Sequence, residues 1–327
     1  MKQFFLSILC AGALFCACSD DNDDNDTSKN YQASDFIKEN LAGAQKTFKR
    51  QVSDQPQTIA LENGVQLLIP GGGVFTKNGQ PITGEYTVEV TTMLKPSEIV
   101  LSGTNTNLIS GLYLESDGFF HINVLHGGES VDPITSQFLT VTIPTDKEDG
   151  EWTYVWEGVV DKNDRFVWQE VPDTVVNAVD GERQGEWNMA FAQNKNFSFQ
   201  FKKLGWFNCD IYWNMGDNTT VTVVLSGQFG SLATYGGGTG DTFVFFKAKD
   251  SNVIAQLYTE VNATTVQSYD NSMPLNAEGT LIAFSIKDGA YSLATKEIKI
   301  TSGLQETLEL LPVTKATVLT ALKALDQ

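Results

Sequence analysis

The chain has 327 residues, with 22 Lys and Arg against 40 Asp and Glu, for a formal net charge of −18 with neutral histidines. Nucleic acid and anionic lipid headgroups would be repelled at every distance that salt does not screen, which excludes both as partners. An apolar fraction of 41% supplies a core without cross-links, enough for one large or two ordinary domains.

In chain order, residues 1–17 read as a signal peptide. Lys2 precedes an apolar run from Phe4 to Ala17, too short for the roughly 20 apolar residues that a membrane-crossing helix needs. Of the cysteines Cys10, Cys16 and Cys18, only Cys18 follows a small residue, Ala17, with an apolar residue three positions upstream. Phe15-Cys16-Ala17-Cys18 resembles a bacterial lipobox, with Phe15 where that pattern prefers Leu. The resemblance implies cleavage before Cys18 and lipid, palmitate included, on that residue. Cleavage removes the single charge of Lys2, which takes −18 to −19.

Residues 18–30, opening CSDDNDDND, then form a lipidated acidic tether. So charged a segment cannot bury enough surface to offset the entropy of ordering it. Asp20, Asn22 and Asp24 alternate as in a calcium loop, but the glycine and distal Glu of such a loop are missing. Acidic residues directly after a lipidated cysteine resemble the surface-display signal of Bacteroides-group lipoproteins. The alternative is a spacer that carries no address.

Residues 31–145 read as an N-terminal β-sandwich domain. It opens with a short helix in SDFIKENLAGAQKTFKRQV, capped by Ser34, with Phe36, Ile37, Leu41, Ala44 and Phe48 at near-helical spacing. The period then switches to two in IALENGVQLLIP, GEYTVEVTTML, FFHINVL and FLTVTIP. Asn78-Gly79 and Asp117-Gly118 are expected to make tight turns between strands.

Residues 146–195 read as a connecting hairpin region, WTYVWEG and RFVWQEV around DKND, followed by the polar junction VDGERQGE. Residues 196–327 read as a C-terminal β domain: FSFQFKKL, TTVTVVLSG, TFVFFKAK, TLIAFSIK, AYSLATKEIKI and ETLELLPV are strands. A final helix has Thr314 as cap and Val318, Leu319, Leu322 and Leu325 on one face. The expected class is all-β: two antiparallel β-sandwich-like domains with a short helix near each end.

Two stretches carry a further resemblance. Residues 65–103, VQLLIPGGGVFTKNGQPITGEYTVEVTTMLKPSEIVLSG, resemble the opening of the β-sandwich module shared by netrin receptors and ankyrins, as it recurs in surface lipoproteins of the Bacteroides group. Residues 203–210, KLGWFNCD, are similar to a Gly-Trp-x-Asn-x-Asp stretch of those lipoproteins. The resemblance implies an all-β surface protein and brings no activity with it.

Motifs for chemistry are absent from the sequence. His121 and His126, the only histidines, are five apart on one strand and so point to opposite faces, a poor pair of metal ligands. Leu114-Glu115-Ser116-Asp117-Gly118 lacks the first glycine of a nucleophile elbow. Gly71-Gly72-Gly73 leads to Val-Phe-Thr and not to the Gly-Lys-Ser of a phosphate loop. Cys209, the last thiol once Cys18 is lipidated, reads as a small buried hydrophobe. No metal and no cofactor is expected. Forty acidic residues offer many carboxylate pairs for glycoside hydrolysis and no means of choosing one.

The aromatics say more. Trp152, Tyr154 and Trp156 alternate, so they share one face, either the core side of a sandwich or a platform on which sugar rings stack. The hairpin register leaves open whether Trp168 joins them. Tyr235, in the glycine-rich loop SLATYGGGTGDT, is a further ligand-binding candidate, the alternative being that the loop is simply a long hairpin end. Asp173-Thr174-Val175 resembles an O-glycan acceptor of Bacteroides-group exported proteins, with Thr174 as the modified residue.

Together these readings describe a lipoprotein held in the outer membrane by its N-terminal lipid and exposed at the cell surface. The expected role is a non-enzymatic binding module for glycan or protein. A structural scaffold without its own ligand is the alternative, and a glycoside-active enzyme ranks third. A surface at −19 disfavours anionic polysaccharides unless a cation bridges them, so a neutral glycan or a basic protein surface is the expected partner.

Overall fold

The structure, a computed structural model, describes residues 31–134, 137–162, 165–171, 176–178, 189–213, 216–233 and 240–327. Cys18, the tether, Thr174 and Tyr235 lie outside the described residues. The protein is all-β, built on large antiparallel sheets with few short helices. No helix of the described residues is long and apolar enough to cross a membrane.

The first sheet is barrel-like and 13-stranded. Ten of its strands run in the order Lys46–Gln51, Glu85–Met93, Leu114–His126, Gly205–Tyr212, Trp152–Val160, Met189–Gln193, Asn196–Phe201, Leu139–Pro144, Gln66–Ile69 and Gln57–Ala60, and three short ones, Phe166–Glu170, Val176–Ala178 and Glu129–Ser130, pair off this path. The alternation of each strand sends one side inward, and both wings of the sheet share one core. Val88, Phe120 and Phe207 from one wing meet Val141, Phe199 and Leu67 from the other. Phe120 stacks on Phe207 at 5.5 Å and packs on Phe199 at 5.5 Å, and burying each ring contributes about 2 kcal/mol. Cys209 lies fully buried in this core, where burial pushes its thiol well above the ordinary range.

The second sheet, eight-stranded and half-barrel in form, orders Ile254–Gln256, Thr242–Ala248, Glu278–Lys287, Ala290–Lys299, Gln305–Val313, Thr222–Gly227, Thr265–Gln267 and Thr259–Asn262. One pairing departs from the antiparallel expectation: Thr222–Gly227 runs parallel to Gln305–Val313, with Thr222 opposite Gln305.

The division between sheets does not fall at residue 195. Strands Asn196–Phe201 and Gly205–Tyr212 belong to the first sheet, and Trp152–Val160 is an interior strand of it, not a connector. The reason is pairing partners far apart in sequence: Phe207 lies opposite Phe120, and Val155 opposite Cys209.

A second core joins the sheets. Phe119, Trp156 and Trp168 from the first pack with Phe243, Phe245, Ile254 and Phe284 of the second and with the helices. Helix Ala33–Ala44 buries Phe36 against Phe284 and Tyr291, both at 6.3 Å. Helix Lys315–Lys323 buries Val318 and Leu322, with Thr314 Oγ1 accepting the N–H of Thr317 at 3.1 Å as the sequence predicts.

The first helix differs in detail. Its cap is Gln32, whose N–H donates to Asp35 Oδ2 at 3.1 Å, so Ser34 sits in the first turn. Phe48 belongs to strand Lys46–Gln51, opposite Val88. A third helix, Pro96–Leu101, was hidden in the strand-like run: Pro96 opens it, and Ser97 donates from N and Oγ to the two oxygens of Asp326, each at 2.8 Å.

Asn78-Gly79 makes a two-residue turn joining Lys77 to Gln80, with positive φ at both residues. Asp117-Gly118 does not turn the chain. It lies inside strand Leu114–His126 as a bulge, where Ser116 pairs with Asp210, Gly118 pairs with Cys209, and Asp117 is the extra residue. Gly118 is at φ +143, and a Cβ there would meet Leu94 Cδ2 at 2.6 Å.

Candidate aromatic binding face

Strand Trp152–Val160 carries an aromatic row that leads from solvent into the joint between the sheets. Trp152 is 42% exposed, Tyr154 is half-buried, and Trp156 is 2% exposed. The row is therefore neither all core nor all platform. Trp156 belongs to the joint core, where its indole N–H donates to the Asp210 carbonyl at 3.1 Å.

The hairpin register settles Trp168. It lies opposite Gly158, on the same face as Trp156, and is fully buried. Its indole N–H donates to the Asn105 carbonyl at 2.6 Å, and its ring meets Phe119 at 4.6 Å and Phe166 at 5.1 Å. Gly158 makes room for these rings: a Cβ there would stand 2.6 Å from Phe166, 2.7 Å from Trp206 and 3.0 Å from Trp168.

The neighbouring strand adds a ring that the sequence reading missed. Tyr154 lies opposite Asp210 and Trp156 opposite Asn208, so Tyr212, two residues beyond Asp210, falls on the same face. Tyr212 is 41% exposed. Its ring is 5.8 Å from Tyr154 at 70° and 5.2 Å from Trp156 at 84°, while Trp152 is 4.9 Å from Tyr154 at 71°. All three contacts are edge-to-face, the favoured aromatic geometry. On the other side of the strand, Phe191 lies opposite Trp152 and Met189 opposite Tyr154.

Glu170, exposed and opposite Trp156 on the second arm of the hairpin, supplies the charge. Burial, then the Glu170 carboxylate within hydrogen-bonding reach, pushes the Tyr212 phenol above its ordinary value. The alternation in WFNCDIY carries the only sequence signal for Tyr212, since it shares parity with Trp206, Asn208 and Asp210.

Beneath these rings lies a buried polar cluster. Ser116 Oγ donates to Asn208 Oδ1 at 3.1 Å, and the Asn208 amide donates to Asp210 Oδ2. Asp210 Oδ1 and Asp117 Oδ2 are buried without a hydrogen-bond partner. Burial, opposed by Lys147, raises the Asp117 carboxyl to about 6, and burial raises Asp210 well above the usual range. Asp210 has no accessible surface, so a substrate could not meet both carboxylates of this pair.

The histidines are placed apart. His121 packs on Trp206 at 4.7 Å, and His126 Nε2 shares a hydrogen bond with the Thr83 carbonyl at 3.0 Å. Among the described residues, no group of three or more His, Cys, Asp or Glu is arranged to hold a metal ion. No family model matches the chain, and no curated protein matches it.

Proposed function

We propose that the protein is a lipid-anchored, surface-displayed binding module of the outer membrane, without catalytic activity, whose binding face is built from Trp152, Tyr154 and Tyr212. The N-terminal sequence supports the anchor: an apolar export signal, a lipobox ending at Cys18, and an acidic tether that holds the folded domains away from the membrane. The resemblance of residues 65–103 and 203–210 to Bacteroides-group surface lipoproteins agrees with it.

One observation carries the binding reading. Two large aromatic side chains, Trp152 and Tyr212, stand more than 40% exposed on one sheet face, both packed edge to face on Tyr154, and a buried ring, Trp156, backs Tyr154 and Tyr212. Exposed aromatics that are rigidly backed present apolar area at little entropic cost, as binding hot spots do. A scaffold has no need to keep them out of the core.

The test uses residues 18–327 with Cys18→Ser, offered to an array of neutral and charged glycans and to immobilised basic and acidic proteins. Binding to a neutral glycan or a basic protein, lost in Trp152→Ala, is the expected result. Silence on every surface would transfer the protein to the scaffold reading.

A further inference from the structure

The aromatic face has the geometry of a cation site more than of a sugar track. A linear glycan stacks on rings whose faces are roughly coplanar and spaced along the chain. Here each ring is turned about 70° or more from its neighbour, Trp152 on Tyr154 at 71° and Tyr154 on Tyr212 at 70°. Rings turned in this way form the walls of a corner.

The spacing fits one small charge. Trp152 and Tyr212 lie with ring centroids 4.9 Å and 5.8 Å from Tyr154, so a single cation can lie within about 6 Å of Tyr154 and of a neighbouring ring, the range over which a ring face attracts it. The chain already uses this contact internally: the Arg165 guanidinium lies over Tyr258 at 4.4 Å and Lys202 Nζ over Phe138 at 4.2 Å. Among the described residues, no Lys or Arg lies over Trp152, Tyr154 or Tyr212. Glu170 stands at the edge of the cluster beside Tyr212, and the whole chain carries −18. Both draw cations toward the face, and the second steers them from a distance.

We infer that Trp152, Tyr154 and Tyr212, with Glu170 at their rim, bind a guanidinium or ammonium side chain presented by a basic protein surface. This rests on the binding face proposed above and names its ligand class. Arg suits the site better than Lys, because a planar guanidinium stacks on one ring while its N–H groups reach Glu170. The indole and phenols supply ring faces, and the carboxylate fixes orientation and adds salt dependence.

The experiment titrates residues 18–327 with Cys18→Ser against the peptide acetyl-Gly-Arg-Gly-Arg-Gly-amide and against the same peptide with citrulline for arginine, by calorimetry at low and physiological salt. Citrulline keeps the shape and planarity of arginine and removes its charge. The arginine peptide is expected to bind at least tenfold more tightly than the citrulline peptide. Trp152→Ala and Tyr212→Ala should each weaken it about tenfold, and Tyr212→Phe should leave most of the binding. Glu170→Gln should weaken it severalfold, whereas Glu309→Gln, an equal loss of charge on the exposed side of the second sheet, should not.

Equal binding of the two peptides would overturn the inference, as would equal losses from the Glu170 and Glu309 variants, since attraction would then be diffuse. Trp152-dependent binding of a neutral oligosaccharide, with no preference for arginine, would also overturn it while leaving the binding face intact. Failure of peptides and oligosaccharides alike would remove the binding face itself.

Discussion

The ring of Tyr212 meets the ring of Trp156 edge to face, 5.2 Å apart at 84°, so a buried indole carries an exposed phenol. Each residue has a different role because of that contact. Trp156 is structural, its area spent in the core between the sheets. Tyr212 is held in position by it, Trp152 is held by Tyr154 at 4.9 Å, and both face solvent.

Truncation should separate those roles. Trp156→Ala opens a cavity in the joint core and strands the Asp210 carbonyl, at a cost of about 3–5 kcal/mol. Trp152→Ala removes a half-exposed ring and should cost about 1 kcal/mol or less. Urea unfolding of the two variants measures both. Equal losses would mean that the gradient of burial along the strand has no energetic counterpart.

Gly158→Ala is a sharper probe of the same core. The added methyl meets Phe166, Trp206 and Trp168 at 3.0 Å or less, and three packed rings have nowhere to move. Overpacking of this kind costs about 1–3 kcal/mol, which denaturant midpoints resolve easily. A neutral substitution would show that the rings are looser than the structure has them.

The Asp117 and Asp210 carboxyls give stability a particular pH dependence. Asp117 is raised to about 6 and Asp210 is raised well above its usual range, both chiefly by burial. The unfolded chain releases these protons near 3.9. Folding therefore favours the protonated forms. Their contribution is complete below about pH 4 and is lost as pH rises through about 6 for Asp117 and higher for Asp210. Lys147 opposes the shift at Asp117, and Glu115, Glu151 and Asp146 add to it. Thermal midpoints of wild type and Asp210→Asn, compared from pH 4.5 to 7.5, should diverge, with wild type losing several degrees relative to the variant. Parallel curves would show that the Asp210 carboxyl is not perturbed.

The anchor is tested in cells. Cys18→Ala should leave the protein uncleaved or unlipidated and move it from the outer-membrane fraction to soluble fractions, with the folded domains unchanged. A variant that still sediments with membranes would show that something other than the lipid holds it there.

Much of the fold was legible because strand alternation, two-residue Asn-Gly turns and a threonine cap act locally. The strand at 152–160, the hairpin to 166–170 and the cap at Thr314 follow from residues within a few positions of each other. Residues that depend on sheet order were not legible. Tyr212 reaches Trp156 across a pairing of strands some fifty residues apart, and no local pattern encodes that order. Asp117-Gly118 reads as a turn because a bulge uses the same residue types. The buried run 104–107, Thr-Asn-Thr-Asn, looks like a surface loop. It is instead the polar strut between the sheets, with Asn107 exchanging hydrogen bonds with the Gln256 backbone at 2.9 Å.

The most direct measurement labels the tryptophans with fluorine and follows their NMR resonances as the arginine peptide is added. With Trp152 assigned by its loss in Trp152→Phe, its resonance should shift in a saturable way, while those of the buried Trp156 and Trp168 stay nearly fixed. A Trp152 resonance that does not move at peptide saturation would contradict the assignment of this face as the binding site.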